Sequence, residues 1–423
     1  METGNEQSAR TLARVSRRLI PFLFVLYMFA YLDRVNVGYA ALFIRSELGF
    51  SDTVYGTGAG LFFVSYALFE VPSNLILLRV GPRRWIGILM VAWGIISASM
   101  PLAHTPAEFY LLRFLLGVAE AGFFPGIVLY FTFWFPKQLK ARTLARFMAA
   151  TAVAGVVGAP LSNLLLRLNG VAGVAGWKWL FVGEGVPSIL LGLLAFLLLT
   201  DDPARARWLR EDERQWLTQT LAAEQAQVSE THSVDFRAVW RNRVMWRLSA
   251  IYFLLSVSFY SLSLWMPVVL KQISGASARR VILLTAIPWL AATLVMLAIA
   301  HFSDKSQKRR LFLVGSVIGA VAGFGLSAWL SNPWLAIAAL SLAASGSWGG
   351  LGPFWSLPST MLRGTAAAGG IAIINSAGAL GGFCGPILMG LVSDATHSFH
   401  AALGTVAVLL LIAAGLAWRL RVA

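Results

Sequence analysis

Charged residues are scarce in this 423-residue chain: Asp, Glu, Lys and Arg together make up 13% of it, whereas hydrophobic residues make up 58%. Soluble globular domains carry about 25% charged residues, so this composition excludes a soluble protein. Cysteine is scarcer still, because Cys384 has no second cysteine with which to form an intrachain disulfide. The chain is therefore predicted to cross a membrane several times.

Sequence motifs of enzymes are also missing. The chain contains no HExxH, no GxSxG and no phosphate-binding GxxxxGK, and its five histidines are scattered without metal-ligand spacing. An enzyme, a metal site and a bound cofactor are therefore not expected. The polar segments are too short to contain a soluble signalling domain, which also disfavours a sensor or scaffold.

Twelve apolar stretches are long enough to cross a bilayer as helices, which requires about 20 residues each. We place their starts near Leu19, Thr53, Arg83, Pro106, Thr143, Trp177, Met245, Ala278, Arg309, Pro333, Thr365 and Phe399. The predicted fold is an all-α membrane protein with twelve transmembrane helices.

The longest polar interval falls between spans six and seven. It divides the chain into an N-terminal six-helix half (1–200), a cytoplasmic linker (201–244) and a C-terminal six-helix half (245–423). Two short basic loops, LLRVGPRRW after span two and HFSDKSQKRR after span eight, repeat between the halves. Two related halves are typical of transporters that bind their substrate at the repeat interface.

The linker is predicted to contain an amphipathic helix. Apolar residues recur in it at roughly helical spacing, namely Trp208, Leu209, Trp216, Leu217 and Leu221. We interpret them as a membrane-facing stripe of a helix on the cytoplasmic surface.

The net charge of +15 has a topological explanation. If both termini are cytoplasmic, 26 of the 34 Lys and Arg residues fall on cytoplasmic segments, 6 fall outside and 2 fall within the membrane. This distribution follows the positive-inside rule. We therefore predict cytoplasmic termini and expect no nucleic-acid partner.

The two basic residues within the membrane each have a carboxylate nearby on the same helix. Asp33 precedes Arg34 in span one, and Glu120 follows Arg113 by two helical turns in span four. Charges inside a bilayer are costly and mark pathways or binding sites. A guanidinium can bind a carboxylate through two parallel hydrogen bonds, whereas a buried carboxylate can exchange protons. The pattern predicts transport of an anion coupled to protons.

Arg34 and Arg113 are the predicted substrate anchors, although each could instead be a permanent salt-bridge partner between spans one and four. Asp33 and Glu120 are the predicted proton carriers. We expect Glu120 to pair with Arg113 until an anion competes for the arginine and leaves Glu120 ready to accept a proton. The binding of anion and proton would then reinforce each other, as symport requires.

The second half places no Lys or Arg within the membrane, so it is expected to contribute shape and neutral hydrogen bonds. The candidate substrate-binding residues there are Tyr260 and Trp265 on span seven, Trp355 and Ser359 on span ten, and Asn375 and Ser376 on span eleven. Tyr66 on span two is expected to face them.

Six stretches carry a family resemblance: YLDRVNVGYA, FFVSYALFEVPSNLI, RFLLGVAEAGFFPG, GWKWLFVGEGVPSILLG, PFWSLPS and IAIINSAGALGGFCGPILMG. They are similar to the major facilitator superfamily and, within it, to the anion:cation symporter family, which includes bacterial tartrate, phthalate and galactonate permeases. The resemblance implies the major facilitator fold of two six-helix halves. It also implies that Arg113 contacts substrate, that Tyr66 and Asn375 line the site, and that Asp33 and Glu120 carry protons.

The function implied by this resemblance is proton-coupled import of a small organic carboxylate by alternating access across a bacterial cytoplasmic (inner) membrane. The substrate could be a sugar acid, a dicarboxylate or an aromatic acid, and we expect a monomer. An uncoupled uniporter or an anion exchanger of the same fold is the alternative.

The chain departs from the superfamily pattern before the basic loop after span two. Leu78 replaces the usual acidic residue there, whereas the counterpart Asp304 is present after span eight. Glu70, two turns earlier, could partly replace the missing carboxylate, and we expect it to pair with an arginine of the loop. Glu184, near the outer surface on span six, is expected to have a structural role.

Overall fold

The computed structural model describes residues 2–228, 242–330, 332–361 and 365–420. In these ranges all regular secondary structure is helical, and twelve segments are long and apolar enough to cross a membrane. Numbered in chain order, the spans are Gln7–Glu47, Asp52–Val80, Pro82–Leu102, Pro106–Thr132, Lys137–Leu166, Gly176–Leu198, Arg243–Ser274, Ala278–Ser306, Arg309–Ser327, Pro333–Ser356, Gly370–Thr396 and Phe399–Trp418. The prediction of an all-α membrane protein with twelve spans is confirmed.

Most helices begin within two residues of the predicted positions, and the two exceptions have one cause. The helix of span one begins at Glu2, and that of span five begins at Lys137. Both begin in basic segments that hydropathy does not mark as part of a span. The helix simply continues out of the apolar region into polar sequence.

Span four is interrupted, and the interruption places Glu120 at a helix end. A first helix, Pro106–Glu120, is followed by a second, Phe123–Thr132. Gly122 lies between them, where a Cβ atom would come within 1.7 Å of the Ser73 hydroxyl of span two. Only glycine therefore lets the two spans pass this closely.

A helix from Glu211 to Val228 lies within the linker interval. Its Leu217 is fully buried, and its Glu213 accepts a hydrogen bond of 2.7 Å from Arg14 of span one. Trp208, just before the helix, stacks on Trp134 with 5.4 Å between ring centroids. The membrane-facing interpretation of the apolar stripe is wrong, because the stripe packs against the first six spans.

The first and last six spans meet along spans two and eleven, where backbone touches backbone. A Cβ atom on Gly56 would lie 2.4 Å from the Pro386 carbonyl oxygen, and one on Gly60 would lie 2.7 Å from that of Phe383. We call the end of the bundle at which span two begins the Asp52 end, and the opposite end, near the linker, the linker end. The glycine contacts lie on the Asp52 side of this interface.

Polar contacts also hold the Asp52 end closed. Asp394 of span eleven accepts hydrogen bonds from the backbone N–H groups of Asp52 and Thr53, at 3.1 and 2.8 Å. Asp52 accepts a bond of 2.6 Å from the Ser393 hydroxyl and forms an ion pair with Arg45. The two halves are therefore joined by hydrogen bonds to carboxylates as well as by packing at this end.

Span two is exposed toward the linker end. Val71, Leu75 and Leu78 have exposed fractions of 66%, 55% and 57%. These values contrast with Tyr55 at the Asp52 end, which is fully buried and donates a hydrogen bond to the Leu264 carbonyl across the halves at 3.0 Å. The structure is thus closed at the Asp52 end, whereas the last turns of span two are exposed at the linker end.

Candidate substrate and proton site

An ion pair joins spans one and four inside the bundle. Arg34 donates to the same oxygen of Glu120, Oε2, from Nη2 at 3.0 Å and from Nε at 3.3 Å. The Arg34 side chain is 14% exposed and that of Glu120 is 1% exposed. Glu120 Oε1 is buried without a hydrogen-bond partner. The expected pair between Glu120 and Arg113 is wrong, because the partner of Glu120 comes from another helix.

Arg113 is fully buried and is held by backbone carbonyl groups. Its Nε and Nη2 atoms donate to Gly58 and Ala59 of span two, each at 3.3 Å, while Nη1 has no partner. A buried cation without a carboxylate partner is costly. In this conformation, however, the structure does not bring Arg113 to the space between the halves.

Phe62, which was not among the predicted site residues, lies beside both arginines. The guanidinium carbon of Arg34 is 5.3 Å from the centre of its ring, and that of Arg113 is 5.1 Å away. Both distances fall within the range of cation–π attraction. Nothing in the sequence marks one phenylalanine among many in an apolar span, so this role is visible only in three dimensions.

Two glycines explain how span four comes so close to span two. A Cβ atom on Gly58 would lie 2.1 Å from the Phe109 ring, and one on Gly117 would lie 2.2 Å from the Phe62 carbonyl oxygen. Small residues at such positions allow helix backbones to approach closely in membranes. This approach puts the Arg113 side chain within reach of the carbonyl groups of span two.

Asp33 points away from its neighbour Arg34, into a polar cluster between spans one, three and six. It is fully buried and accepts hydrogen bonds from Ser97 at 2.8 Å and Ser188 at 2.7 Å, with Asn36 at 3.5 Å. It remains within electrostatic range of Glu120. The two predicted proton carriers therefore interact electrostatically with each other but have separate hydrogen-bond partners.

Aromatic residues from both halves surround Arg34. The centre of the Tyr66 ring is 5.1 Å from the guanidinium carbon of Arg34. Tyr260 of span seven faces Arg34 with its hydroxyl group and packs on Phe63 with 4.1 Å between ring centroids. Both tyrosines are partly exposed, so the structure brings these two predicted residues together around the exposed arginine.

Asn375 contacts the opposite half through Glu70. Its amide nitrogen donates to Glu70 Oε2 at 3.4 Å, and Glu70 is within electrostatic range of Arg34. The expected pairing of Glu70 with a loop arginine is therefore wrong. Glu70 instead lies at the edge of the predicted site and bridges spans two and eleven.

The two tryptophan candidates lie away from this group. Trp355 packs edge-on against Tyr252 at 4.8 Å between ring centroids, and Tyr252 is about 12 Å from Tyr260 along span seven, toward the linker end. Trp265 is fully buried near the Asp52 end and donates to the Pro386 carbonyl at 3.1 Å. Trp355 thus lies on the linker-end side of this group, and Trp265 belongs to the closed interface.

Charge is distributed unequally between the two halves. The first six spans contain Asp33, Arg34, Glu70, Arg113, Glu120 and Glu184 well inside their ends. In the described part of spans seven to twelve, charged side chains lie only near span ends, as Lys271 and Asp394 do. No group of three or more His, Cys, Asp or Glu in the described ranges is positioned to hold a metal ion.

Transporters of similar length are similar to this chain over most of its sequence. A provisionally named tartrate transporter from Agrobacterium vitis is 45% identical over 416 residues, which cover 97% of this chain and 91% of that protein. A quinolone resistance transporter from Acinetobacter baumannii is 40% identical over 402 residues, which cover 94% of this chain and 92% of that protein.

The fold also matches solved structures and a family model. A bacterial homologue of the human lysosomal transporter Spinster, in an inward-facing and unoccupied conformation, superposes with a TM-score of 0.82 over 96% of each chain at 17% identity. The model of the Major Facilitator Superfamily matches residues 23–383. The chain therefore belongs to the major facilitator superfamily, whose members transport solutes across membranes and are not enzymes.

Proposed function

We propose that this protein imports a small organic carboxylate together with protons by alternating access. The observation that carries the proposal is the contact between Arg34 and Glu120. The arginine is partly exposed to the space between the halves, whereas its carboxylate partner is buried with one oxygen free. An anion can therefore reach Arg34 and compete with Glu120 for it.

This competition couples the anion to a proton. Nε and Nη2 of Arg34 both donate to one oxygen of Glu120, whereas a substrate carboxylate can offer two oxygens in the parallel arrangement that a guanidinium favours. Once displaced, Glu120 is a buried carboxylate that has lost its cation, which favours uptake of a proton. Each ligand then promotes binding of the other by the same free energy.

The remaining predicted residues have roles that follow from their positions. Tyr66, Tyr260 and Asn375 supply neutral contacts around the anion bound to Arg34. Arg113 lies two turns closer to the Asp52 end than Glu120, so it becomes available to substrate when that end opens. Asp33, which interacts electrostatically with Glu120, is the second proton carrier.

We also propose that the protein lies in a bacterial cytoplasmic membrane with both termini in the cytoplasm. The distribution of Lys and Arg supports this orientation, and the relatives named above are bacterial. The linker end then faces the cytoplasm, and the conformation described is open to the inside. The inward-facing state of the Spinster homologue supports this assignment.

The test is proton flux into proteoliposomes, measured with an internal pH dye while candidate acids are added outside. Tartrate tests the substrate class that the Agrobacterium vitis relative suggests, and a panel of sugar acids and aromatic acids covers the other classes. We expect one class to acidify the interior with the wild type and not with Glu120→Gln. Glu108→Gln is the matched control, because Glu108 is an exposed capping residue at the start of span four.

The alternative function gives a different result. If labelled acid equilibrates or exchanges without proton movement in the wild type and in Glu120→Gln, the protein is a uniporter or an exchanger, and the coupling role of Glu120 is wrong. If Glu108→Gln abolishes the signal as well, loss of a carboxylate at the site is not the cause.

A further inference from the structure

Glu184 is a buried carboxylate for which the proposed function has no role. It lies on span six, is fully buried, and neither of its carboxyl oxygens has a hydrogen-bond partner of good geometry. In the described part of the chain it forms no ion pair. Buried side-chain oxygens without partners are rare in proteins and call for an explanation.

The surroundings of Glu184 are polar but supply no positive charge. Asn36 of span one and Ser162 of span five lie beside it. The titratable groups that interact with it electrostatically are Asp33 and Tyr39, both of span one. The Ser162 hydroxyl is itself buried without a partner. Span three contributes Ser97, a donor to Asp33, and the buried Trp93, whose indole group also lies beside Asp33.

Two carboxylates in one buried cluster without a cation cannot both be ionised at low cost. Asp33 has two close hydroxyl donors, from Ser97 and Ser188, which stabilise a negative charge on its oxygens. Glu184 has no donor of comparable geometry. Of the two groups, Glu184 is therefore the better place for a proton.

The position of Glu184 along the membrane gives that proton a role. Span six begins at Gly176 at the Asp52 end, so Glu184 lies about 12 Å inside it. Ser188 lies one turn deeper and contacts both acidic residues. Its hydroxyl donates to the Asp33 carboxylate and also lies 3.1 Å from the backbone carbonyl oxygen of Glu184. Asp33 in turn is within electrostatic range of Glu120.

We propose that Glu184 carries a proton in this conformation and is a third member of the proton path, placed between the Asp52 end and Asp33. The role of Glu184 in transport rests on the proposed proton coupling. Its protonation is independent of that proposal. A proton arriving from the Asp52 end is held on a Glu184 oxygen and passes to an oxygen of Asp33. No bond other than O–H is made or broken.

The protonation is tested first, by infrared spectroscopy of the purified protein at neutral pH. We expect an absorption of protonated carboxylic acid that is missing in Glu184→Gln and still present in Glu184→Asp and Asp33→Asn. If Glu184→Gln leaves every protonated-acid band in place, the proposal is overturned. This result does not depend on whether the protein couples transport to protons.

The role in transport is tested in proteoliposomes with the same variants. We expect the ratio of proton-driven uptake to counterflow of labelled acid to fall by about 5- to 150-fold in Glu184→Gln, and to recover in Glu184→Asp. An unchanged ratio in Glu184→Gln overturns the relay role, because glutamine keeps the shape and only removes the titratable group. Uptake that is driven by a sodium gradient and not by a proton gradient would show that a metal ion is the coupled ion. That result would also overturn the proposal.

Failure of the proposed function would give a different result from failure of the Glu184 proposal. A wild type that exchanges acid without moving protons disproves the coupling, whereas the infrared experiment still decides whether Glu184 holds a proton. Glu108→Gln serves as the control in both experiments, since it removes an exposed carboxylate of the same half.

Discussion

Replacing Gly56 by alanine should open the Asp52 end. In the closed structure the added Cβ atom would lie 2.4 Å from the Pro386 carbonyl oxygen and 3.0 Å from its carbon. Ordinary contacts of a Cβ atom begin near 3.4 Å, so spans two and eleven must separate by about 1 Å. Because the obstacle is backbone, no side-chain rotation can relieve the contact.

The size of the effect follows from this overlap. Overpacking by one methyl group in a tight interface costs about 1–3 kcal/mol, and the cost falls on the closed state alone because the contact is lost when the end opens. The equilibrium should therefore shift by about 5- to 150-fold toward conformations open at the Asp52 end. The higher helix propensity of alanine, about 1 kcal/mol, applies to both conformations and cancels.

The matched control is Gly155→Ala, another glycine at the contact between the halves. Its Cβ atom would lie 3.6 Å from the Trp289 ring, an ordinary contact distance. Any general effect of alanine in a spanning helix is therefore common to both variants, and only Gly56→Ala adds the overlap. The difference between the two variants isolates the steric effect.

Distances between spin labels on the two halves provide the assay. Labels on cysteines at the exposed positions Ser46 and Gln272, in a background with Cys384 replaced by serine, report the separation of the halves at the Asp52 end. We expect Gly56→Ala to add a population with a longer distance. Identical distance distributions for Gly56→Ala and Gly155→Ala would refute the conclusion that backbone contact holds this end closed.

Three further substitutions test neighbouring parts of the structure. Tyr55→Phe removes a hydroxyl that donates to a carbonyl of span seven and should cost the closed state about 1 kcal/mol; an unchanged label distance would contradict this. Asp394→Ala removes the acceptor for the N–H groups of Asp52 and Thr53 at the start of span two and should destabilise the closed end by about 0.5–2 kcal/mol; label distances identical to those of the wild type would disprove it. Gly117→Ala would bring a Cβ atom within 2.2 Å of the Phe62 carbonyl oxygen inside one half, so it should lower the thermal unfolding temperature without changing the label distance, and unchanged melting would disprove the tight packing there.

The spans could be predicted from sequence because a bilayer imposes a length and a composition on every crossing. Span ten illustrates this, since Pro333 marks both the predicted and the observed start. The same signal failed at Lys137, where the helix of span five begins outside the apolar region. Hydropathy marks only the part of a helix that lies within the membrane, and helices can extend beyond that part.

The charged residues inside the spans could also be identified from the sequence, but their partners could not. Arg34 and Glu120 are conspicuous because a bilayer makes charge costly, yet their contact depends on how spans one and four pack. Proximity along one helix favoured Arg113 as the partner of Glu120, which is wrong. Phe62 gave no signal at all, because its contact with two guanidinium groups depends on the close approach that Gly58 and Gly117 permit.

The unequal distribution of charge determines where the membrane voltage can act. Moving one elementary charge through 100 mV involves about 2.3 kcal/mol of electrical work. In the described interior of spans seven to twelve there is no charged side chain on which the voltage could do such work. Among the described spans, it is therefore the interior of the first half that offers charged side chains to the membrane voltage.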